Sequence, residues 1–222
     1  MKKNNLVTPL LKWVGGKRQL LDALVPRLPK RYKVYCEPFI GGGALLFDQQ
    51  PTTAFVNDVN VELINVYQVI KEDVETLIAD LAMHKNESDY YYAVRDWDRD
   101  RDTYAQLTPI KRASRIIYLN KTCYNGLFRV NNAGEFNTPF GSYKNPNIVN
   151  AVTLRAVSQY FRDADVRFST ADFEDILKSL PKNAFVYLDP PYLPVSDTAN
   201  FTGYTKGGFD HTEQVRLKEC CD

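Results

Sequence analysis

Residues 184–192 read Ala-Phe-Val-Tyr-Leu-Asp-Pro-Pro-Tyr. The unbroken apolar run Ala184 to Leu188 predicts a strand buried on both faces, as in a parallel sheet. Open α/β sheets bind ligands beyond the carboxyl ends of their strands. Asp189-Pro190-Pro191-Tyr192 therefore falls where chemistry is expected. The two prolines remove two backbone donors and restrict φ there and at the residue before each. The Asp189 carboxylate and the Pro190 carbonyl then form a rigid pair of acceptors beside an aromatic ring, which suits a planar group bearing an NH2. The alternative is a strand that ends in an ordinary turn, with Asp189 as a cap.

The same strand-then-site pattern recurs upstream. Tyr32 to Cys36 reads as a strand and runs into Glu37-Pro38-Phe39-Ile40-Gly41-Gly42-Gly43, and Ala44 to Gln49 begins a helix. A glycine loop between strand and helix lets a nucleotide-like ligand approach the backbone at a helix N-terminus. The dinucleotide fingerprint GxGxxG is missing. Thr53 to Val56 is a second strand and ends at Asn57-Asp58. An acid about 20 residues past the first strand accepts from ribose hydroxyls in nucleotide-binding units. Asp58 equally reads as the N-cap of a helix over Val59 to Ile70. A strand near Val166 to Ser169 precedes Asp172-Phe173, an acceptor beside a flat face, or else a cap and a core ring. Further helices are expected over Gln19 to Leu28, Val74 to Ala82, Tyr90 to Trp97, Pro109 to Asn120 and Val152 to Phe161. Asp210 with Glu213 predicts a capping box for a last one. Asn200 to Gly208 reads as a loop. Strands alternating with helices make this an α/β chain with a parallel sheet.

Residues 12–17, Lys-Trp-Val-Gly-Gly-Lys, invite comparison with a phosphate-binding loop. Leu11 stands where its first glycine should be and Arg18 where Ser or Thr should be, so the comparison fails. A ligand-facing turn remains, with Trp13 as a stacking face and Lys17 as a cation, against a plain loop with a solvated lysine.

Residues 84–150 break the βα rhythm. Asp89 to Asp102 holds five Asp and three Arg and reads as a solvated helix. Lys111 to Lys144 carries six basic residues against one acid, Glu135, a local charge of +5. Within it, residues 122–137 interleave basic, aromatic and amide side chains around Asn-Gly and Ala-Gly turns. Such a segment can hold phosphates, read base edges and wedge a ring into a stack. The alternative is a surface hairpin.

Composition narrows the class. The chain has 222 residues, 44% hydrophobic and 25% charged, with a net charge of +1. That allows one domain, or one with an insertion. No apolar run approaches the ~18 residues of a membrane span, and the basic N-terminus lacks the apolar core of a signal peptide. Four cysteines without a CxxC and two histidines argue against structural zinc. Unpaired thiols fit a reducing cytoplasm.

Together these segments resemble the Dam-type DNA adenine-N6 methyltransferases, S-adenosyl-L-methionine-dependent enzymes of the alpha motif order. The resemblance rests on KWVGGK at 12–17, EPFIGGG at 37–43, ND at 57–58, YNGLFR at 124–129, GEFN and PFGSYK within 134–144, DF at 172–173 and DPPY at 189–192, in the family's order along nearly the whole chain. It implies a Rossmann-like methyltransferase fold built from 1–83 and 151–222. Inserted in it is a mainly helical DNA-recognition subdomain, 84–150, with a hairpin at about 122–144.

The resemblance also implies roles. Asp189, Pro190, Pro191 and Tyr192 would be catalytic. Trp13, Lys17, Glu37, Phe39, Gly41, Gly43, Asp58, Asp172, Phe173 and Asp189 would contact the cofactor. Tyr124, Asn125, Arg129 and Asn131 would read double-stranded DNA at GATC. No metal and no membrane are implied. A monomer is expected, with a cognate restriction endonuclease left open. Family members continue with further strands, whereas four are evident here. The expectation is a sheet incomplete at its C-terminal side, and the alternative function is a fragment that binds DNA or cofactor without turnover. Transfer to another planar amine or amide, such as cytosine N4 or a protein glutamine, is the third reading. The segment 124–137 argues against a protein substrate.

Overall fold

The computed structural model describes residues 2–192 and 209–222. The loop expected over Asn200 to Gly208 lies outside them. The described residues form a four-stranded, all-parallel sheet in the order β3-β2-β1-β4. Its strands are β1 (Val34–Glu37), β2 (Thr53–Asn57), β3 (Asp165–Ser169) and β4 (Ala184–Val186). Tyr35 stands in register with Ala54 on one side and Phe185 on the other. All four strands point the same way, so their carboxyl ends share one edge. β4 is shorter than its apolar run. Its ladder extends by one bond, Tyr187 N–H to the Cys36 carbonyl at 2.9 Å, and Pro190 and Pro191 beyond it have no N–H to donate. Among the described residues β4 is an edge strand.

The helices are α1 (Leu21–Leu24), α2 (Ala44–Gln49), α3 (Val61–Glu72), α4 (Val74–Leu81), α5 (Ser88–Arg95), α6 (Arg101–Ala105), α7 (Pro109–Thr122), α8 (Ala151–Asp163), α9 (Phe173–Ser179) and α10 (His211–Cys221). Three expectations need correction. The helix over Gln19 to Leu28 is broken into a 3-10 turn, the four-residue α1 and a second 3-10 turn at Val25–Arg27. Pro26 has no N–H to continue an α-helix. Helix α3 starts two residues later than expected, because Asn60, not Asp58, caps it: the Asn60 Oδ1 accepts from the N–H groups of Glu62 and Leu63, both at 3.1 Å. The run Asp89 to Asp102 is not one solvated helix but α5, a 3-10 turn and α6.

Asp98, in that run, turns inward. It meets Arg115 of α7 at 2.8 Å, and its Oδ2 accepts from the Phe136 N–H at 2.8 Å. Arg115 is 1% exposed and also donates to the Val94 carbonyl. Two further cations of the basic segment are paired internally, Lys111 with Asp80 and Arg112 with Glu62. Three of the six basic residues counted from the sequence are therefore paired with acids, and two of those acids, Glu62 and Asp80, stand on α3 and α4 outside 84–150. Helix α7 packs on both α3 and α4, so one hydrophobic core runs from the sheet into the insertion. The His84 side chain is buried there, stacked on Tyr118 with centroids 4.3 Å apart, and burial pushes its pKa down to about 4.

Breaking a buried ion pair from one side leaves a charge without a partner. Arg115→Met is expected to cost about 3 kcal/mol or more and to lower the melting temperature by roughly 10 °C. Adding Asp98→Asn should recover part of the loss, since the amide keeps an acceptor for Phe136 without the stranded charge. Thermal melts of both variants decide this.

Candidate active site

The shared carboxyl edge of the sheet brings together segments far apart in sequence. β1 delivers Glu37, β2 delivers Asp58 and β4 delivers Asp189. All three line one cavity with Lys17. Every residue expected to be catalytic lines it, and so do Trp13, Phe39, Gly41 and Gly43. Asp172 and Phe173 lie instead in an adjoining cleft that shares Phe39, Val59 and Pro191 with the first. Tyr187 also lines the cavity; reading its strand only as buried gave no signal for this.

The glycine loop is held by its neighbours. The Ile40 N–H donates to the Asn57 carbonyl at 2.9 Å, and the Asn57 side chain donates to the carbonyls of Pro38 and Ala171. Asn57 thus ties the ends of three strands. Gly41 has φ +46, and a Cβ there would sit 2.8 Å from the Trp13 ring. A side chain at position 41 would be strained and would clash. With Asn60 as the helix cap, Asp58 accepts from the Gly41 N–H at 3.0 Å. Burial raises the Asp58 pKa against the hydrogen bonds from Asn60 and Gly41.

Glu37 is 3% exposed and accepts from Tyr35 Oη at 2.7 Å. Burial pushes its pKa up to about 8, with Asp189 and Asp58 adding to the rise and the Tyr35 hydrogen bond opposing it. Lys17 supplies the positive charge facing these acids. Its Nζ lies 2.6 Å from Asp189 Oδ2 and 5.1 Å from the Tyr192 ring centroid. Burial acts to lower the Lys17 pKa, but the hydrogen bonds to Asp189 and Tyr192 outweigh it and raise it above its ordinary value. Tyr192 is 66% exposed and donates weakly to Asp189 Oδ1 at 3.3 Å. Its ring is therefore open to a flat partner.

Trp13 also reaches the hairpin. Its ring stacks on Phe128 at 4.6 Å with planes 23° apart. The hairpin thereby touches the glycine loop through one indole. Tyr124 and Asn125 are exposed on the hairpin, and Asn125 has φ +56. Arg129 is exposed and donates to Asn137 Oδ1 at 2.7 Å. Asn131 is engaged within its own turn: its Oδ1 accepts from the N–H groups of Ala133 and Glu135, and its amide donates to Glu135. Asp172 caps α9 through the Glu174 N–H at 2.9 Å and is paired with Arg216 of α10. Phe173 is 3% exposed. Asp172 is thus a helix cap and Phe173 a largely buried ring, and both line the adjoining cleft. Arg216 and its helix carried no sequence signal for the site.

Comparison with known proteins agrees with this arrangement. The family described as D12 class N6 adenine-specific DNA methyltransferase matches residues 13–222. The chain is 43% identical over 223 residues to the type II methyltransferase M1.LlaDCHI of Lactococcus lactis subsp. cremoris, covering 99% of this chain and 78% of that protein. It is 40% identical to the type II methyltransferase M.MjaIII of Methanocaldococcus jannaschii, covering 95% of this chain and 78% of that protein. The DNA adenine methylase of Escherichia coli strain K12 is 34% identical, with 100% of this chain and 77% of that protein covered. No helix among the described residues is long and apolar enough to cross a membrane.

The raised pKa of Glu37 has a stability consequence. The folded chain holds a proton on Glu37 that the unfolded chain has already lost. Stability contributed by the protonated form is complete below the ordinary carboxylate value of 4.5 and is lost as pH rises through about 8. Glu37→Gln, which cannot ionise, should therefore become more stable relative to the parent chain as pH climbs through that window. Paired melts across the range would show a constant difference if the rise is absent.

Proposed function

The chain belongs to the D12 class of N6 adenine-specific DNA methyltransferases, and we propose that it methylates adenine within GATC in duplex DNA, using S-adenosyl-L-methionine. The observation that carries the reading is the cavity where Glu37, Asp58 and Asp189 face Lys17 beside the glycine loop. The carboxylates of Asp58 and Asp189, with Glu37 held toward its protonated form, against one ammonium suit a ligand that carries positive charge and hydroxyl donors. Backbone without side chains at Gly41 suits close approach of such a ligand. S-Adenosyl-L-methionine fits this donor set and, when bound, supplies an electrophilic methyl group on a sulfonium. Asp58 would hold its ribose. Trp13, Lys17, Glu37, Phe39, Gly41, Gly43 and Asp189 would form the rest of the wall, with Asp172 and Phe173 at the adenine end.

The residues of this chain then act on the substrate. The adenine amino group is a poor nucleophile because its lone pair is delocalised into the ring. Asp189 and the Pro190 carbonyl would accept its two N–H bonds and favour a pyramidal nitrogen, directing the lone pair out of the ring. Pro191 keeps that turn rigid. A base must leave the duplex to reach them, and the exposed Tyr192 ring offers it a stacking face. Lys17 holds Asp189 in place through a 2.6 Å contact. The rate enhancement would come from positioning and from fixed acceptors already in place. We assign target recognition to 84–150, with Tyr124, Asn125 and Arg129 presented by the hairpin and Asn131 shaping the turn that presents them. Arg is the usual bidentate partner of guanine in the major groove.

The deciding experiment is transfer of labelled methyl from S-adenosyl-L-methionine to duplexes with and without GATC. GATC-dependent label on adenine N6 is expected. Label on adenine in another sequence would overturn the GATC assignment and leave the class intact. Binding of DNA or cofactor with no transfer would favour binding without turnover. Asp189→Ala should abolish transfer while retaining part of the cofactor affinity, and turnover in that variant would remove Asp189 from the catalytic set. Arg129→Ala should narrow the preference for GATC over singly altered sites by about 1–3 kcal/mol, read from competition between duplexes.

A further inference from the structure

Helix α10 touches the catalytic turn. The Gln214 side-chain amide donates to the Pro191 carbonyl at 2.9 Å. That carbonyl lies in a turn whose two prolines supply no backbone donors. Its neighbour, the Pro190 carbonyl, is one of the two proposed acceptors of the substrate amine. The plane of the Pro191–Tyr192 peptide also sets where the Tyr192 ring stands. One bond from α10 therefore bears on both the acceptor pair and the stacking face.

The helix that presents Gln214 is itself held firmly. Its N-terminus is capped by Asp210, which accepts from the Glu213 N–H at 3.0 Å. Leu217, one turn beyond Gln214 and on the same face, is buried against Phe173 and Phe209. Arg216 sits 4.3 Å from the Phe173 ring centroid and meets three carboxylates: Asp172, Glu174 at 3.6 Å and Glu213 at 3.2 Å. A half-exposed glutamine on an anchored helix is placed to orient a neighbour, whereas solvation would have been enough had it served only the surface. We propose that Gln214 is a positioning residue for methyl transfer, fixing the Pro191 carbonyl so that Asp189, Pro190 and Tyr192 keep their mutual geometry. The same helix is anchored on Asp172, at the adenine end of the proposed cofactor site. Occupancy of that wall and the posture of the catalytic turn are thereby linked through one element. The inference rests on the reading of 189–192 as the catalytic turn.

The test compares Gln214→Met, which keeps length and helix propensity but removes the donor, with the parent chain. In protein labelled with 13C at proline carbonyls, the Pro191 resonance should move in the variant, while those of Pro146 and Pro181 stay in place. The melting temperature should be unchanged. In the transfer assay kcat should fall about 10- to 100-fold, as misplacement of a reacting group predicts, with KM for DNA and affinity for S-adenosylhomocysteine within about twofold. Gln214→Lys, which restores a donor, should recover most of kcat. An unmoved Pro191 resonance, an unchanged kcat, or a loss confined to KM would each overturn the proposal. If the parent chain transfers no methyl, the proposed function fails, and the carbonyl resonance still decides whether Gln214 fixes the turn.

Discussion

Three carboxylates brought to one point by parallel strand pairing are the constraint on which this structure depends. β1 lies between β2 and β4, so Glu37, Asp58 and Asp189 end on the same edge whatever their distance in sequence. Unrelieved, the arrangement is unfavourable, because buried like charges raise each other's pKa. The chain relieves it in three local ways. Lys17 meets Asp189, two backbone N–H groups serve Asp58, and Glu37 is held toward its protonated form with a hydroxyl as partner. What remains is a pocket poised to favour a cationic ligand.

The second dependence is between that pocket and the hairpin. Asn120 of α7 is 2% exposed and clips the N-terminal segment to the hairpin. Its amide donates to the carbonyls of Lys12 and Gly126, and its Oδ1 accepts from the Lys12 N–H. Lys121 donates to the Leu10 carbonyl at 2.6 Å. Trp13 then bridges Phe128 on one side and the glycine loop on the other. The insertion is joined to the sheet domain by core packing and by this clip, so the 84–150 boundary is a boundary of βα rhythm and does not coincide with a break in the core. The hairpin and the glycine loop share a support, so their relative placement is fixed by packing.

The legible part of the fold was the alternation of apolar runs with amphipathic stretches, because burial on a sheet and burial on one helix face leave different periods. All four strands and most helices fell near their places. The misses share a cause. Pro26 broke a helix whose apolar spacing looked sound, and Asn60 took the cap that Asp58 was equally able to fill. Local pattern does not say which of two adjacent acceptors faces the helix and which faces the glycine loop. Charge was the least legible quantity. Asp98 read as part of a solvated helix and Arg115 as one cation of a basic segment, and they form a buried pair in the fold, since pairing across 17 positions is a tertiary event.

By itself, the sequence determined the family, the parallel α/β class and the motifs that supply most of the residues lining the cavity, because each motif couples a strand end to a residue type that its chemistry requires. Only the tertiary structure decided which partners those residues keep: Lys17 on Asp189, Trp13 on Phe128, Arg216 on Asp172 and Gln214 on Pro191. Each of these contacts joins segments more than 20 residues apart. Their existence depends on how helices and strands pack, which residue spacing along a chain does not encode.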